Sequence, residues 1–287
     1  MKKYLIIPGS NRSGSTSLYY YLSENGFNTS KEKQIDYLLN QINLTSIENY
    51  DDNFKKGYNN ILKVDISPDY MYNNNFLFNL KKLFNKSELL IIFLLRDPFD
   101  RVISFHKHGK QIGEVDINES LETFISKNSS NSKLESYRSI DRSDYYKWLN
   151  PVIDYLDEGS FFFISTEKMN SQKSIQKLQK ITCRSLESTP KFFNQSGTIN
   201  NGPIWFLYRK FRSLILRTLK FFRLIQSTRI IRFYIGSFLR YSFIKKTKTT
   251  ENSHEKLRKE FMKDWRIRNN KLFKYLDKNE FTWIIEK

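Results

Sequence analysis

The 287-residue chain has a single cysteine, Cys183, which excludes an internal disulfide framework. Its three histidines and that cysteine offer no C-x-x-C or H-x-x-x-H spacing, so a structural metal is not expected. No uncharged apolar run approaches the roughly 18 residues of a membrane-spanning helix. The first run, Tyr4-Leu5-Ile6-Ile7, is far shorter than a signal-peptide core and leads straight into a glycine turn. It reads as a first strand with no export signal, and the expected location is the cytoplasm. Proline- or serine-rich linkers and internal repeats are missing, which leaves residues 1–287 as one domain. Acidic residues are scarce: 30 against 48 Lys and Arg give a formal charge of +18. Such a surplus favours anionic partners, namely nucleotides, acidic polysaccharides, nucleic acid or anionic lipid.

What the chain has in abundance is Phe (24) and Tyr (17), enough to build a core; its mean hydropathy of −0.59 reflects Lys and Asn rather than disorder. Helical spacing of apolar residues predicts helices over 15–24, 34–41, 76–84, 100–107, 121–126, 143–156 and 169–181. Strands are expected at 4–7, 61–65, 88–95 and 161–165, with 88–95 at the sheet centre because it is apolar throughout. This alternation implies an α/β fold with a central, mostly parallel sheet flanked by helices in three layers, as in P-loop proteins. Residues 204–248 differ: Arg209, Arg217, Lys220, Arg229 and Arg240 recur among bulky apolar residues. That region is expected to be basic, amphipathic and helical, packed on the domain or projecting from it toward an anionic surface.

Chemistry concentrates in two segments. Gly9-Ser10-Asn11-Arg12-Ser13-Gly14-Ser15-Thr16 follows the first strand and opens a helix. Its spacing fits the phosphate-cradling frame G-x-x-x-x-G-K-[ST], except that Ser15 replaces the lysine. The N–H groups of Ser13, Gly14, Ser15, Thr16 and Ser17 would face an anion at the helix N-terminus, with Arg12 the nearest cation. The second segment runs from Arg96-Asp97-Pro98 to Ser104 at the end of strand 88–95, where ligands of open α/β sheets bind. Arg96 and Ser104 could converge on one phosphate. Two phosphate sites at adjacent strand ends suit a nucleotide phosphorylated at both ends. A P-loop kinase and a non-catalytic nucleic-acid binder are the alternatives; the first lacks its lysine, and the second lacks any recognition motif.

Together these segments make the chain resemble sulfotransferases that use 3′-phosphoadenosine 5′-phosphosulfate (PAPS). The stretch from Arg12 to Leu18 is similar to that family's 5′-phosphosulfate loop, and Arg96 through Ser104 to its 3′-phosphate motif. Lys31-Glu32 and Ser67-Pro68-Asp69-Tyr70 are similar to steps in carbohydrate enzymes of the heparan type and their bacterial relatives, and 257–283 to the C-terminal segment of bacterial members. Departures are Arg12 for the loop lysine, Lys33-Gln34-Ile35 after the Lys-Glu step, and Ile66 before Ser-Pro. The resemblance implies sulfuryl transfer from PAPS to a hydroxyl or amine, with a saccharide or glycolipid as acceptor and without metal or nucleic acid. It implies Glu32 as general base, Lys31 at the sulfonate or acceptor, Arg12 and residues Ser13 to Ser17 on the 5′ side, and Arg96 with Ser104 on the 3′-phosphate. His106 and His108 are expected to be supporting or surface groups, and Cys183 to pack within a helix.

Overall fold

The computed structural model describes residues 2–41, 46–57, 61–187, 190, 198–199, 244–245 and 254–285. Five strands form one sheet: β1 (Tyr4–Ile7), β2 (Asn28–Thr29), β3 (Lys63–Ile66), β4 (Leu89–Leu95) and β5 (Phe161–Ser165), in the order β2-β3-β1-β4-β5. All neighbours are parallel, with Ile6 beside Asp65 on one side and Ile91 on the other. All five strands therefore deliver their carboxyl ends to one edge. β1 holds the middle position, where the chain crosses from one half of the sheet to the other, and ligands of open sheets bind at such a switch point. β4, expected at the centre, flanks β1 instead; its seven buried residues reflect cover on both faces rather than central position.

Side-chain alternation splits the core in two. Ile6, Leu89, Ile91, Phe93, Leu95 and Phe163 point to one face. There they meet α3 (Asn74–Leu83), α4 (Pro98–Ile112), α6 (Tyr145–Ile153) and α8 (Glu255–Asn269). Leu5, Ile7, Leu90, Ile92, Leu94 and Ile164 point to the other, against α1 (Ser15–Glu24) and α7 (Gln172–Thr182). The period of two thus produces the three layers. The chain contains no alanine, the strongest helix former, so its helices depend on packing and on caps. Ser46 caps α2 (Ile47–Asp51), Ser120 caps α5 (Leu121–Ser126), and Asn73, Asp97 and Ser171 cap α3, α4 and α7, each accepting from the first-turn backbone.

Local differences from the sequence-based expectation have local causes. Residues 34–41 form only one 3₁₀ turn, Tyr37–Leu39, because Asp36 sits at φ 52° and Gln34 turns its amide to Asp36 and Asp69. Cys183 ends α7 at φ 53° and is exposed, so it does not pack in a helix. Within 204–248 the described residues are Ile244 and Lys245, a short strand β7 (Ile244–Lys245) antiparallel to β6 (Thr198–Ile199). The remainder of that basic region lies outside the described residues.

Candidate active site

The loop after β1 is fixed by three backbone hydrogen bonds, to β4 and to the turn after β3. Ser10 N donates to Leu94 O (2.7 Å), Leu94 N to Gly9 O (2.9 Å) and Met71 N to Pro8 O (3.0 Å). A Cβ on Gly9 would run into the Met71 side chain and crowd Pro68 O, so glycine suits the close passage of the loop over the turn that follows β3. Gly14, at φ 82°, is the N-cap of α1 and turns the chain into the helix. Ser13 is fully buried, with its hydroxyl on Ser10 Oγ and its carbonyl accepting from Thr166 Oγ1 at 2.8 Å.

Arg101, in α4, holds the loop from below. Its side chain is wholly buried, and Nε and Nη2 donate to Asn11 O and Asn11 Oδ1. The other donors serve Tyr72 Oη, Ser139 O and Ser143 Oγ. Among the described residues no carboxylate lies within ion-pair reach of it; five neutral acceptors and the rings of Tyr72, Phe105 and Tyr145 hold the charge. Asn11 also donates to Asp69 and Glu135 (both 3.0 Å), which share Arg142.

The two sequence motifs meet here. Arg12 adopts φ 64°, and its Nε donates to Ser104 Oγ at 3.2 Å; its carbonyl accepts from Arg96 Nη1 at 3.2 Å. Arg12, Arg96 and Ser104 therefore form one constellation, although 84 and 92 residues separate Arg12 from its partners. Asp100, Ser104 and Lys107 recur at helical spacing on α4 and share its face. Burial beside Asp97 pushes the Asp100 carboxyl up to about 6, against the pull of Arg96 and Arg258. Burial, then repulsion from Arg96, lowers the Lys107 ammonium.

Other residues sit as follows. Ser15 and Ser17 are buried in the first turns of α1, and Thr16 Oγ1 accepts from Lys33 Nζ at 2.7 Å. Glu32 is exposed, in the segment after β2, where Ser30 Oγ donates to its carbonyl. Lys31 is not brought to the loop: its Nζ donates to Asp52 O at 2.6 Å. His106 is buried against Phe124 with Nε2 on Glu119 O. Two contributors have no motif of their own. Lys33 stands two residues from Lys31, and only the turn after β2 selects it. Arg258, from α8, forks onto Asp97 Oδ1 and Oδ2 and approaches Asp100 at 3.6 Å. Its only sequence signal is that it lies in the segment 257–283, which is similar to the C-terminal segment of bacterial members. Among the described residues no His, Cys, Asp and Glu group could hold a metal ion, and no helix is long and apolar enough to cross a membrane.

The strand–loop–helix turn is thus joined through Arg12 to Arg96 and Ser104 at the end of β4. A family profile described as a sulfotransferase domain matches residues 2–190, and the chain belongs to that family. A sulfotransferase from Alicyclobacillus acidocaldarius overlays with a TM-score of 0.54 at 15% identity, covering 68% of this chain and 86% of that one, which shows the shared fold. A sulfotransferase domain from the curacin biosynthetic pathway aligns at 0.45 and 16% identity, over 65% and 76% of the two chains. One from the Synechococcus PCC 7002 olefin synthase aligns at 0.42 and 13%, over 65% and 74%. Comparison with curated proteins gives no match.

Proposed function

We propose that this sulfotransferase takes PAPS as donor and transfers its sulfuryl group to an acceptor hydroxyl or amine, on a saccharide or glycolipid, releasing adenosine 3′,5′-bisphosphate. The bond from Arg12 Nε to Ser104 Oγ, with Arg96 on the Arg12 carbonyl, carries this reading. In this reading it couples a cradle for one phosphate to the cationic Arg96 and the Ser104 hydroxyl for a second, and a doubly phosphorylated nucleotide needs both. In this reading the N–H groups of Ser13 to Ser17 and the Thr16 hydroxyl hold the 5′-phosphosulfate. Arg96 and Ser104 hold the 3′-phosphate, and Arg12 stands between the two.

Sulfuryl transfer passes through a loose transition state, so positioning and charge stabilisation contribute most, as in phosphoryl transfer. Glu32, exposed in the segment after β2, takes the acceptor proton in this reading; a carboxylate in hydrogen-bond reach contributes about a hundredfold or more. In this reading the protein acts as one domain in the cytoplasm, with the basic region 204–248 packed on it or facing an anionic surface.

Calorimetric titration with adenosine 3′,5′-bisphosphate, against AMP and ATP·Mg, tests the donor. Micromolar binding that AMP does not match, and that Arg96→Ala weakens, supports the reading. Preference for ATP·Mg defeats it. Glu32→Gln is expected to keep bisphosphate binding while lowering transfer about a hundredfold or more; near-native transfer would remove Glu32 from the role.

A further inference from the structure

The first loop carries its one cation at Arg12, and Ser15 stands where the G-x-x-x-x-G-K-[ST] frame would place a lysine. The loop's own cation does not fill that place alone: Arg12 turns its Nε to Ser104, on the side of the second motif. Lys31, the lysine singled out by resemblance, is turned to the carbonyl of Asp52. The ammonium that reaches the cradle comes from elsewhere. Lys33 Nζ donates to Thr16 Oγ1 at 2.7 Å, one residue from the position of the missing lysine.

The segment that carries Lys33 is anchored on both sides. Ser30 Oγ donates to Glu32 O (2.8 Å), Lys31 N to Asn53 O (2.8 Å), and Gln34 Nε2 to Asp36 and to Asp69 Oδ2 (3.2 Å). Lys33 is half-buried, with Asp36 as a nearby countercharge. Its ammonium is thus presented to the first turn of α1, where the cradle N–H groups also point. A lysine is a compact point charge and suits a charge that moves between oxygens more than a fixed fork would.

Resting on the sulfuryl-transfer reading, we infer that Lys33 is a further catalytic residue, whose ammonium, placed at Thr16 Oγ1, contacts the sulfuryl group and adds to the charge of Arg12. In the step it serves, the bond between sulfur and the bridging oxygen breaks, and its electron pair goes to the 5′-phosphate oxygen. A bond forms between sulfur and the acceptor oxygen or nitrogen, and the acceptor proton passes to Glu32. Lys33 stays protonated throughout and offsets the negative charge gathering on the bridging oxygen.

The test compares Lys33→Ala and Lys33→Arg with wild type in the full chain, measuring affinity for PAPS and for adenosine 3′,5′-bisphosphate, and the rate of bisphosphate release from PAPS. The two ligands differ by the sulfuryl group alone. Lys33→Ala is expected to weaken PAPS about tenfold, to leave the bisphosphate within about twofold, and to slow release about a hundredfold. Lys33→Arg recovers part of the loss. An unchanged ratio of the two affinities overturns the inference. So does an equal loss for both ligands, which would make Lys33 a staple between the segment and α1. A wild-type protein that binds neither ligand defeats the sulfuryl-transfer reading itself, whereas normal binding with an indifferent Lys33→Ala defeats only the Lys33 assignment.

Discussion

At the residue scale, charge in the site is set by neighbours more than by residue type. Asp100 shares the α4 face with Ser104, near Asp97, Arg96, Arg258, Glu167 and Lys107. With its carboxyl titrating near 6, it is mostly protonated at pH 5 and mostly ionised at pH 7. Ionised, it repels an arriving 3′-phosphate; protonated, it does not. Asp100→Asn should therefore bind adenosine 3′,5′-bisphosphate more tightly than wild type above about pH 6, and equally at pH 5. Taking the ratio of the two proteins at each pH cancels the phosphate's own titration. A ratio that stays flat from pH 5 to 7.5 would mean that Asp100 does not face the bound anion.

At the element scale, α4 does two jobs. Its N-terminus, capped by Asp97, is tied to β5 through Glu167, which accepts from Asp97 N at 2.8 Å and from Ser165 Oγ at 2.6 Å. One turn further, Arg101 supports the loop after β1, and a second turn brings Ser104 to Arg12. Arg101→Leu would keep much of the volume but orphan Asn11, Tyr72 and Ser143. The expected cost is about 3 kcal/mol of stability, measured by denaturant unfolding. Because the loop then loses its support, bisphosphate affinity should fall by at least about tenfold even under conditions where the variant stays folded. Unchanged affinity in the folded variant would show that the strand contacts alone hold the loop.

Much at this scale was legible in the sequence. The bounds of α1 and α5 follow from apolar spacing and flanking Ser, Gly and Asn, and β4 and β5 from runs of bulky apolar residues. The strand–loop–helix turn after β1 and the second motif at the end of β4 were legible as well, since backbone turns and strand ends leave local marks. Residues 34–41 were not, because one amide turned to Asp36 and Asp69 outweighed a weak helical pattern. Local propensity yields readily to such contacts in a short segment.

At the scale of the whole molecule, the matched segment 2–190 is not complete by itself. Trp265 is fully buried and donates from Nε1 to Ser143 O at 2.6 Å, while Phe281 and Trp283 join the same core. Glu280 accepts from the Ser165 N–H at the end of β5 (3.0 Å) and pairs with Lys177. Arg258 closes the cap of α4. Truncating a single buried tryptophan typically costs about 3–5 kcal/mol, a large part of a domain's total stability of about 5–15 kcal/mol. A chain ending at residue 190 should show no cooperative thermal transition and no bisphosphate binding. Cooperative melting with binding retained would show that residues 254–285 only decorate the fold.

By itself the sequence determined the class of fold, the loop after β1, the second motif and the family, because each rests on short-range signals: glycine positions, apolar periods and residue spacing within one turn. Only the tertiary structure decided which lysine serves the cradle, that Arg12 bridges to Ser104, that Arg101 supports the loop and that Arg258 completes the far end. Those contacts join residues 17 to 161 positions apart. No local pattern encodes them; the parallel sheet does, by bringing the carboxyl ends of all its strands to one edge.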